Sequence, residues 1–437
     1  MGLVRVPVVA AGALALVAAA ACEQNARIQQ TANQYAGSLF VNWEKCGTTH
    51  DLIFLMLDSK QKVMRDTDPN FQSLPMGLST AGGSVTLQIA DTVTKDLNDA
   101  GVAPIGLTAT ALLFEDIGAA GQARDLVIAF DHGGSFSGLT PDDKFLNPPG
   151  VDGGLKTDPT NSRLSYAQLS LMSTTFLQES VTVELGAFPF IENNLLVGWS
   201  KLSNGFTNDS TTLQTQSSQL ATGARGGSPI FYALTQAAAD LRARGGSAQP
   251  VTVLVTDGRN GAIADGGAGA DATTTQQNAV DALKKTTQQT GIGTIFVGMM
   301  SWIPSTDLVN SLDSTTLRAM ACSLNAAAND GFSTYVEVAD ADGGTATDMS
   351  LKMAAVAELT KGRYKLSLTA DTSGVAAGTY VVTGGVFVRP ANMSDYTTCT
   401  TDTACSNSVT GNKCRLKGDS NALDGRCYMP FEVQVTK

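Results

Sequence analysis

Histidine is scarce in this 437-residue sequence, which has only His50 and His132. Neither histidine lies in an H-E-x-x-H zinc motif, and no serine lies in the G-x-S-x-G motif of α/β-hydrolases. The sequence therefore lacks the usual signatures of a hydrolase, and we expect that the protein is not an enzyme. A metal-dependent hydrolase that works with carboxylates alone is the least favoured alternative.

Clustered positive charge is also lacking. Lysine and arginine total 29 against 40 aspartates and glutamates, which gives a formal net charge of -11, and no basic cluster interrupts the chain. A surface that binds nucleic-acid phosphates needs the opposite balance, so we expect no nucleic-acid partner. After the amino terminus, no stretch is apolar enough to span a bilayer. The length and the 43% hydrophobic content predict two or three domains with real cores.

The amino terminus has the pattern of an export signal over residues 1–22. Arg5 precedes a short apolar core over 6–21, and small residues precede Cys22. The AAAC sequence over 19–22 resembles a bacterial lipobox, which predicts lipidation of Cys22. Ordinary secretory cleavage in the same alanine run is the alternative. We expect a secreted protein, lipid-anchored at a bacterial cell envelope, with residues 23–44 as a polar tether.

Cysteine number agrees with export. The chain has seven cysteines, and removing Cys22 leaves six that can pair. Four of them lie within residues 399–427, where no C-x-x-C pair is present. These spacings predict two disulfides in a loop-rich segment, and they do not match a zinc ribbon.

Residues 125–138, with the sequence DLVIAFDHGGSFSG, change in character halfway along. The apolar run over 126–130 has strand length and is typical of a central parallel strand covered on both faces. Asp131 ends this run, and Ser135 follows four residues later. A carboxylate and a hydroxyl therefore gather at the carboxyl end of a strand, where ligands bind in open α/β sheets.

Two later segments continue the pattern. The sequence GGSPIF over 226–231 opens a helical pattern, and an apolar strand over 251–255 ends in Thr256-Asp257-Gly258. Other strands and helices alternate between them and beyond, which predicts an α/β fold with a doubly wound, mostly parallel, Rossmann-like sheet. We expect strands over 181–190, 194–199 and 292–297, and helices over 163–177, 229–244, 276–289 and 314–324.

Together these motifs resemble the von Willebrand factor A (VWA) domain and its metal-ion-dependent adhesion site (MIDAS). Matched residue by residue, Asp131 and Ser135 fit the D-x-S-x-S motif, Ser228 stands at the family's threonine, and Asp257 is the T-D-G aspartate. The departure is Gly133, which stands at the family's first serine, so that a water would have to replace one ligand oxygen. The resemblance covers about half of the chain.

The resemblance implies a protein-binding function. The four matched residues would hold Mg²⁺, or Mn²⁺ or Ca²⁺, with a coordination position open to an acidic side chain of a protein or extracellular-matrix ligand. The loop over 137–161 would lie near this face and tune partner choice. A metal-free scaffold of a surface assembly is the alternative, because Gly133 removes one ligand.

Each candidate ligand also has a plain structural interpretation. Ser228 before Pro229 is a favourable helix N-cap. Asp257-Gly258 is a favourable turn after a strand. If Asp131 is buried, its carboxylate needs a polar or charged partner whether or not a metal is bound. His132 is expected to be a neighbour of the site and not a ligand.

The flanks of the α/β region, residues 124–345, have β character. Residues 45–123 resemble immunoglobulin-like modules, and residues 346–437 form a second β-rich module with the predicted disulfides. A strand pattern over 50–58 competes for the first strand of the α/β sheet, but Lys60 and Lys62 would occupy the ligand positions, and ammonium groups cannot bind a cation. By analogy with VWA domains, Cys46 and Cys322 form a third disulfide.

Overall fold

The structure is a computed structural model that describes residues 35–44, 50–58, 62–63, 85–96, 103–116, 122–133, 181–192, 195–221, 227–261, 275–284, 293–299, 313–325, 333–338, 355–390, 398–405, 413–418 and 423–437. The chain divides into two compact units. The first comprises Met1–Leu39, Met56–Gln88 and Val386–Pro430, and the second comprises Phe40–Leu55, Ile89–Gly385 and Phe431–Lys437. Within the described part of the chain, no helix is both long and apolar enough to span a membrane.

Sixteen strands and six helices are described. The strands are β1 Tyr35–Glu44, β2 His50–Asp58, β3 Val85–Asp96, β4 Gly106–Asp116, β5 Arg124–Asp131, β6 Val181–Phe188, β7 Phe190–Glu192, β8 Leu195–Val197, β9 Ser200–Lys201, β10 Gln249–Thr256, β11 Gly293–Met299, β12 Ser333–Val338, β13 Gly362–Asp371, β14 Thr379–Pro390, β15 Lys413–Cys414 and β16 Cys427–Thr436. The helices are α1 Ser210–Ser217, α2 Ile230–Arg244, α3 Gln276–Lys284, α4 Ser314–Asn325, α5 over 355–359 and α6 Asp402–Cys405.

The second unit contains a six-stranded sheet in the order β12-β11-β10-β5-β6-β9. All adjacent pairs are parallel except β6 with the short edge strand β9. Every residue of β5 is buried, as its apolar run predicts for a strand with neighbours on both sides. The predicted α/β class and mostly parallel sheet are confirmed.

Helices α2, α3 and α4 share one apolar core with this sheet. The buried residues of α2 recur at helical spacing and are Ile230, Ala233, Leu234, Ala237, Ala238 and Leu241. The helix ends where Gly245 adopts a φ of 60° and donates its N–H to the carbonyl of Leu241. The helix and its stop are those the sequence predicts, and the helix predicted over 163–177 lies outside the described residues.

The strands that flank the α/β region do not form two separate modules. Strand β13 pairs antiparallel with both β2 and β4, so one four-stranded sheet joins residues on both sides of the α/β region. A second sheet, in the order β15-β16-β14-β3, also joins strands from both sides of the α/β region. Strands from the predicted modules over 45–123 and 346–437 thus share their sheets. Residues 35–44 of the predicted tether over 23–44 form β1. Sequence pattern shows where strands lie but not which distant strand each one joins.

The placement of β2 in this antiparallel sheet also confirms that the strand over 50–58 is not the first strand of the α/β sheet. The signal over 1–22, with Cys22, lies outside the described residues, as does the loop over 137–161.

The predicted pair of disulfides in the carboxyl-terminal segment is confirmed. Cys399 bonds Cys414, and Cys405 bonds Cys427. Cys322 is disulfide-bonded as well. Its predicted partner, Cys46, lies outside the described residues, so that pairing stays a prediction.

Candidate functional site

The candidate site lies where the strand order of the α/β sheet reverses. After β5 the chain adds β6 on one side, then returns to place β10 on the other side of β5 and continues outward to β11 and β12. The carboxyl ends of β5 and β10 thus meet at a topological switch point, where open α/β sheets bind ligands. Asp131 is the last residue of β5, and Asp257 directly follows β10.

The Asp131 carboxylate is fully buried and accepts three hydrogen bonds. Its Oδ1 accepts from the Ser228 hydroxyl at 2.5 Å and from the Gly133 N–H at 2.9 Å. Its Oδ2 accepts from the Thr256 hydroxyl at 2.6 Å. These donors are all neutral, so they orient the carboxylate without balancing its charge.

The pKa of Asp131 is raised from 3.8 to about 7, mainly by burial and also by the charge of Asp257, while the three hydrogen bonds oppose the shift. Asp257 itself is also fully buried. The charge of Asp257 therefore disfavours the ionised form of Asp131, a condition that a bound cation relieves.

The turn after β10 holds Asp257 by backbone contacts. The Asp257 Oδ1 accepts from the Arg259 N–H at 3.0 Å, and the Asp257 carbonyl accepts from the Asp313 N–H at 2.7 Å. Between them, Gly258 has a φ of 82°, and a Cβ there would lie 2.5 Å from the Asp313 carbonyl oxygen. The predicted turn is therefore present, and it leaves the aspartate facing the same sheet edge as Asp131.

Ser228 does not cap the helix that follows it. The N-cap position of α2 is Pro229, with no side-chain capping bond, and the Ser228 hydroxyl donates to Asp131 instead. The Ser228 carbonyl accepts from the Ile230 N–H at 2.9 Å. The structural interpretation of Ser228 as a simple N-cap is thus corrected, because its hydroxyl is used at the sheet edge.

His132 is buried beside the site with both ring nitrogens near backbone carbonyls. Its Nδ1 lies 3.2 Å from the Pro189 oxygen and its Nε2 lies 3.2 Å from the Leu220 oxygen. Burial lowers the pKa of His132, although both carbonyl contacts oppose this. Both ring nitrogens thus contact backbone carbonyls, as expected for a neighbour of the site that is not a metal ligand.

The structure thus brings together three of the four predicted metal ligands, namely Asp131, Ser228 and Asp257. Ser135 lies outside the described residues. Thr256 was not predicted as a site residue, yet it donates to Asp131 and accepts from the Gly258 N–H at 3.1 Å. The sequence signal that could have identified Thr256 is its position at the end of a buried strand, directly before Asp257.

The residues present fit a hard divalent cation. Asp131 and Asp257 offer carboxylate oxygens at the ends of two strands, and Ser228 offers a hydroxyl oxygen before α2. Mg²⁺ prefers such oxygen ligands, with waters completing its coordination shell. The buried Asp131 carboxylate, whose three hydrogen-bond donors among the described residues are all neutral, fits the same ion.

A second cluster of potential metal ligands, formed by Cys399, Cys405 and Cys414, does not fit a metal. Their sulfur atoms lie within 4.8 Å of one another. Each of them is bonded in a disulfide, so no thiolate is available for coordination.

No protein-family model matches the chain, and no curated protein matches it. Among solved structures it is similar to BatB from Bacteroides thetaiotaomicron, at 14% identity and a TM-score of 0.34 over 55% of this chain and 100% of that one. It is also similar to a von Willebrand factor type A protein from Catenulispora acidiphila, at 11% identity and a TM-score of 0.35 over 70% of each chain. The PilB minor pilin from Streptococcus sanguinis gives 11% identity and a TM-score of 0.36 over 76% of this chain and 94% of that one.

These likenesses are weak, and the chain's own features are more informative. The order in which strands join the sheet reverses between β5 and β10, which are parallel. The residues that match the family motifs end or follow β5, precede α2 and follow β10, in the expected order. The described residues between 124 and 338 thus have the mostly parallel sheet and the order of motif residues that the resemblance to the VWA domain implies.

Proposed function

We propose that the α/β region, residues 124–345, is a VWA domain and binds a protein partner through a divalent cation held at the carboxyl ends of β5 and β10. The observation that carries the proposal is the pair of fully buried aspartates, Asp131 and Asp257, whose charges interact. Asp131 also accepts a hydrogen bond from the Ser228 hydroxyl. Buried carboxylates without a cation are costly, and an all-oxygen set of this kind suits Mg²⁺ or Mn²⁺.

The bound ion would supply an electron-poor coordination position for an acidic side chain of the partner. The chain's own part is to hold the ligands: Gly133 and Thr256 orient Asp131, and the Arg259 N–H orients Asp257. We expect binding and not bond cleavage, because the sequence has neither an H-E-x-x-H nor a G-x-S-x-G motif.

Calorimetric titration of Mg²⁺ and Mn²⁺ into residues 23–437 tests the proposal. The parent should show saturable binding that Asp257→Ala abolishes. Asp125→Ala is the matched control, because Asp125 is a buried aspartate at the amino end of β5, away from the site, where it contacts Thr182 and Arg244. Absence of binding by the parent would favour the metal-free scaffold.

Partner chemistry is tested with immobilised poly-glutamate and poly-glutamine. We expect the protein to bind poly-glutamate in Mg²⁺ and to release it in EDTA, although its net charge of -11 opposes binding to an anionic polymer. Equal binding of Asp257→Ala would contradict a role for the site. Metal binding without any preference for poly-glutamate would contradict the acidic-ligand part of the proposal alone.

We further propose that the protein is exported and anchored through a lipid on Cys22, which rests on the sequence of residues 1–22. Cys22→Ser should release the protein from membranes in a bacterial expression host and abolish its labelling by a fatty-acid analogue. Ordinary secretory cleavage predicts no labelling of either protein.

A further inference from the structure

The loops that carry Ser228 and Asp257 are joined next to the site. Ser228 forms an isolated parallel bridge with Asn260, and the Gly261 N–H donates to the Ser228 carbonyl at 2.8 Å. The approach is close, because a Cβ on Gly261 would lie 3.2 Å from the Cα of Gly227. Main-chain contact therefore fixes the position of one loop against the other.

The Asn260 side chain adds a contact that the backbone pairing does not require. Its Oδ1 accepts from the N–H of Phe231, the second residue of α2, at 3.2 Å. The first N–H groups of a helix have no partner within the helix and need a capping acceptor. Asn260 thus caps α2 from a different loop.

This donor is the one that Ser228 would otherwise serve. A serine placed before a helix accepts from the N–H two or three residues later, and Phe231 lies three residues after Ser228. The Ser228 hydroxyl instead donates to Asp131, and α2 has no capping bond from its own N-cap residue, Pro229.

We propose that Asn260 is a positioning residue of the metal site: it caps α2 and so leaves the Ser228 hydroxyl to the sheet edge. This inference rests on the proposed function, because it assigns Ser228 to the metal. Without Asn260, the Phe231 N–H lacks its acceptor, and rotation of the Ser228 hydroxyl toward the helix satisfies it. That rotation removes the hydroxyl from Asp131.

The test uses residues 23–437 with four variants: Asn260→Ala, Asn260→Asp, Ser228→Ala and the Asn260→Ala/Ser228→Ala double variant. Asn260→Ala should weaken Mg²⁺ binding roughly tenfold, the usual order for a residue that orients a metal ligand. Asn260→Asp keeps an acceptor for Phe231 and should bind Mg²⁺ no more weakly than the parent. A parent-like affinity of Asn260→Ala would overturn the proposal.

The double variant separates positioning from an independent contribution. If Asn260 acts through Ser228, the double variant binds Mg²⁺ as weakly as Ser228→Ala alone and no more weakly. A loss equal to the product of the two single losses would overturn the proposal, because the two side chains would then act independently.

Hydrogen exchange in EDTA gives a readout that needs no metal. The Phe231 amide should exchange faster in Asn260→Ala than in the parent, and Asn260→Asp should restore its protection. If the parent binds no Mg²⁺, the proposed function fails, and exchange alone decides whether Asn260 caps α2. Equal exchange in all variants would refute the cap itself.

Discussion

Replacement of Asp131 by asparagine should stabilise the metal-free protein, and increasingly so as the pH rises. The Asp131 pKa is about 7 in the folded state against 3.8 for an unperturbed carboxyl. Between these values the folded state binds more protons than the unfolded state, so the free energy of unfolding falls as pH rises and levels off above about 7. Asparagine has no such titration.

The magnitude follows from the width of this window. From pH 5 to pH 7 the wild type loses about 1.4 kcal/mol per pH unit, so the advantage of Asp131→Asn should grow by roughly 3 kcal/mol between pH 5 and pH 8. Any fixed effect of the substitution cancels in this comparison. The amide oxygen can still accept from Ser228 and Gly133, and the hydroxyl of Thr256 can turn to accept from the new NH₂ group.

Urea unfolding in EDTA at both pH values, followed by tryptophan fluorescence, measures the difference. Asp257→Asn is the matched control: it removes the neighbouring charge but not the burial of Asp131, so the pH dependence should shrink without vanishing. Excess Mg²⁺ should then stabilise the wild type at pH 8 and leave Asp131→Asn unchanged. Parallel pH profiles of the wild type and Asp131→Asn in EDTA would refute the burial argument.

Three further predictions concern other parts of the chain. Gly133→Ser keeps the N–H that donates to Asp131 and adds the hydroxyl that the family motif has at this position. Calorimetry should therefore show a roughly tenfold higher affinity for Mg²⁺, which corresponds to about 1.4 kcal/mol. An unchanged affinity would mean that the hydroxyl does not reach the ion. Glu184→Gln should stabilise the protein more at pH 8 than at pH 5 in urea titrations, because burial raises the pKa of Glu184 to about 7, and the reverse order would contradict this. Peptide mapping without reduction should recover Cys46 joined to Cys322, and Cys46 joined to any other cysteine would disprove that pair.

The α/β fold was predictable because its signals are local. An apolar run of strand length, as in β5, needs only the residue order to indicate a buried strand. The apolar spacing of α2 and the glycines at its end indicate the helix and its stop in the same way. Asp131 and Asp257 were found because parallel strands bring their carboxyl ends to one edge, whatever lies between them in sequence.

The pairing of the flanking strands was not predictable, since their alternating pattern is satisfied by any partner strand. Only the folded chain shows that β13 lies between β2 and β4, which are about 310 and about 250 residues away from it in sequence. The sequence by itself determined the motifs and the elements that carry them. The tertiary structure decided that the Ser228 hydroxyl donates to Asp131 while the Asn260 side chain caps the helix. The physical reason is that the hydrogen-bond partner of a hydroxyl depends on which groups lie near it, and these groups come together only when distant loops meet.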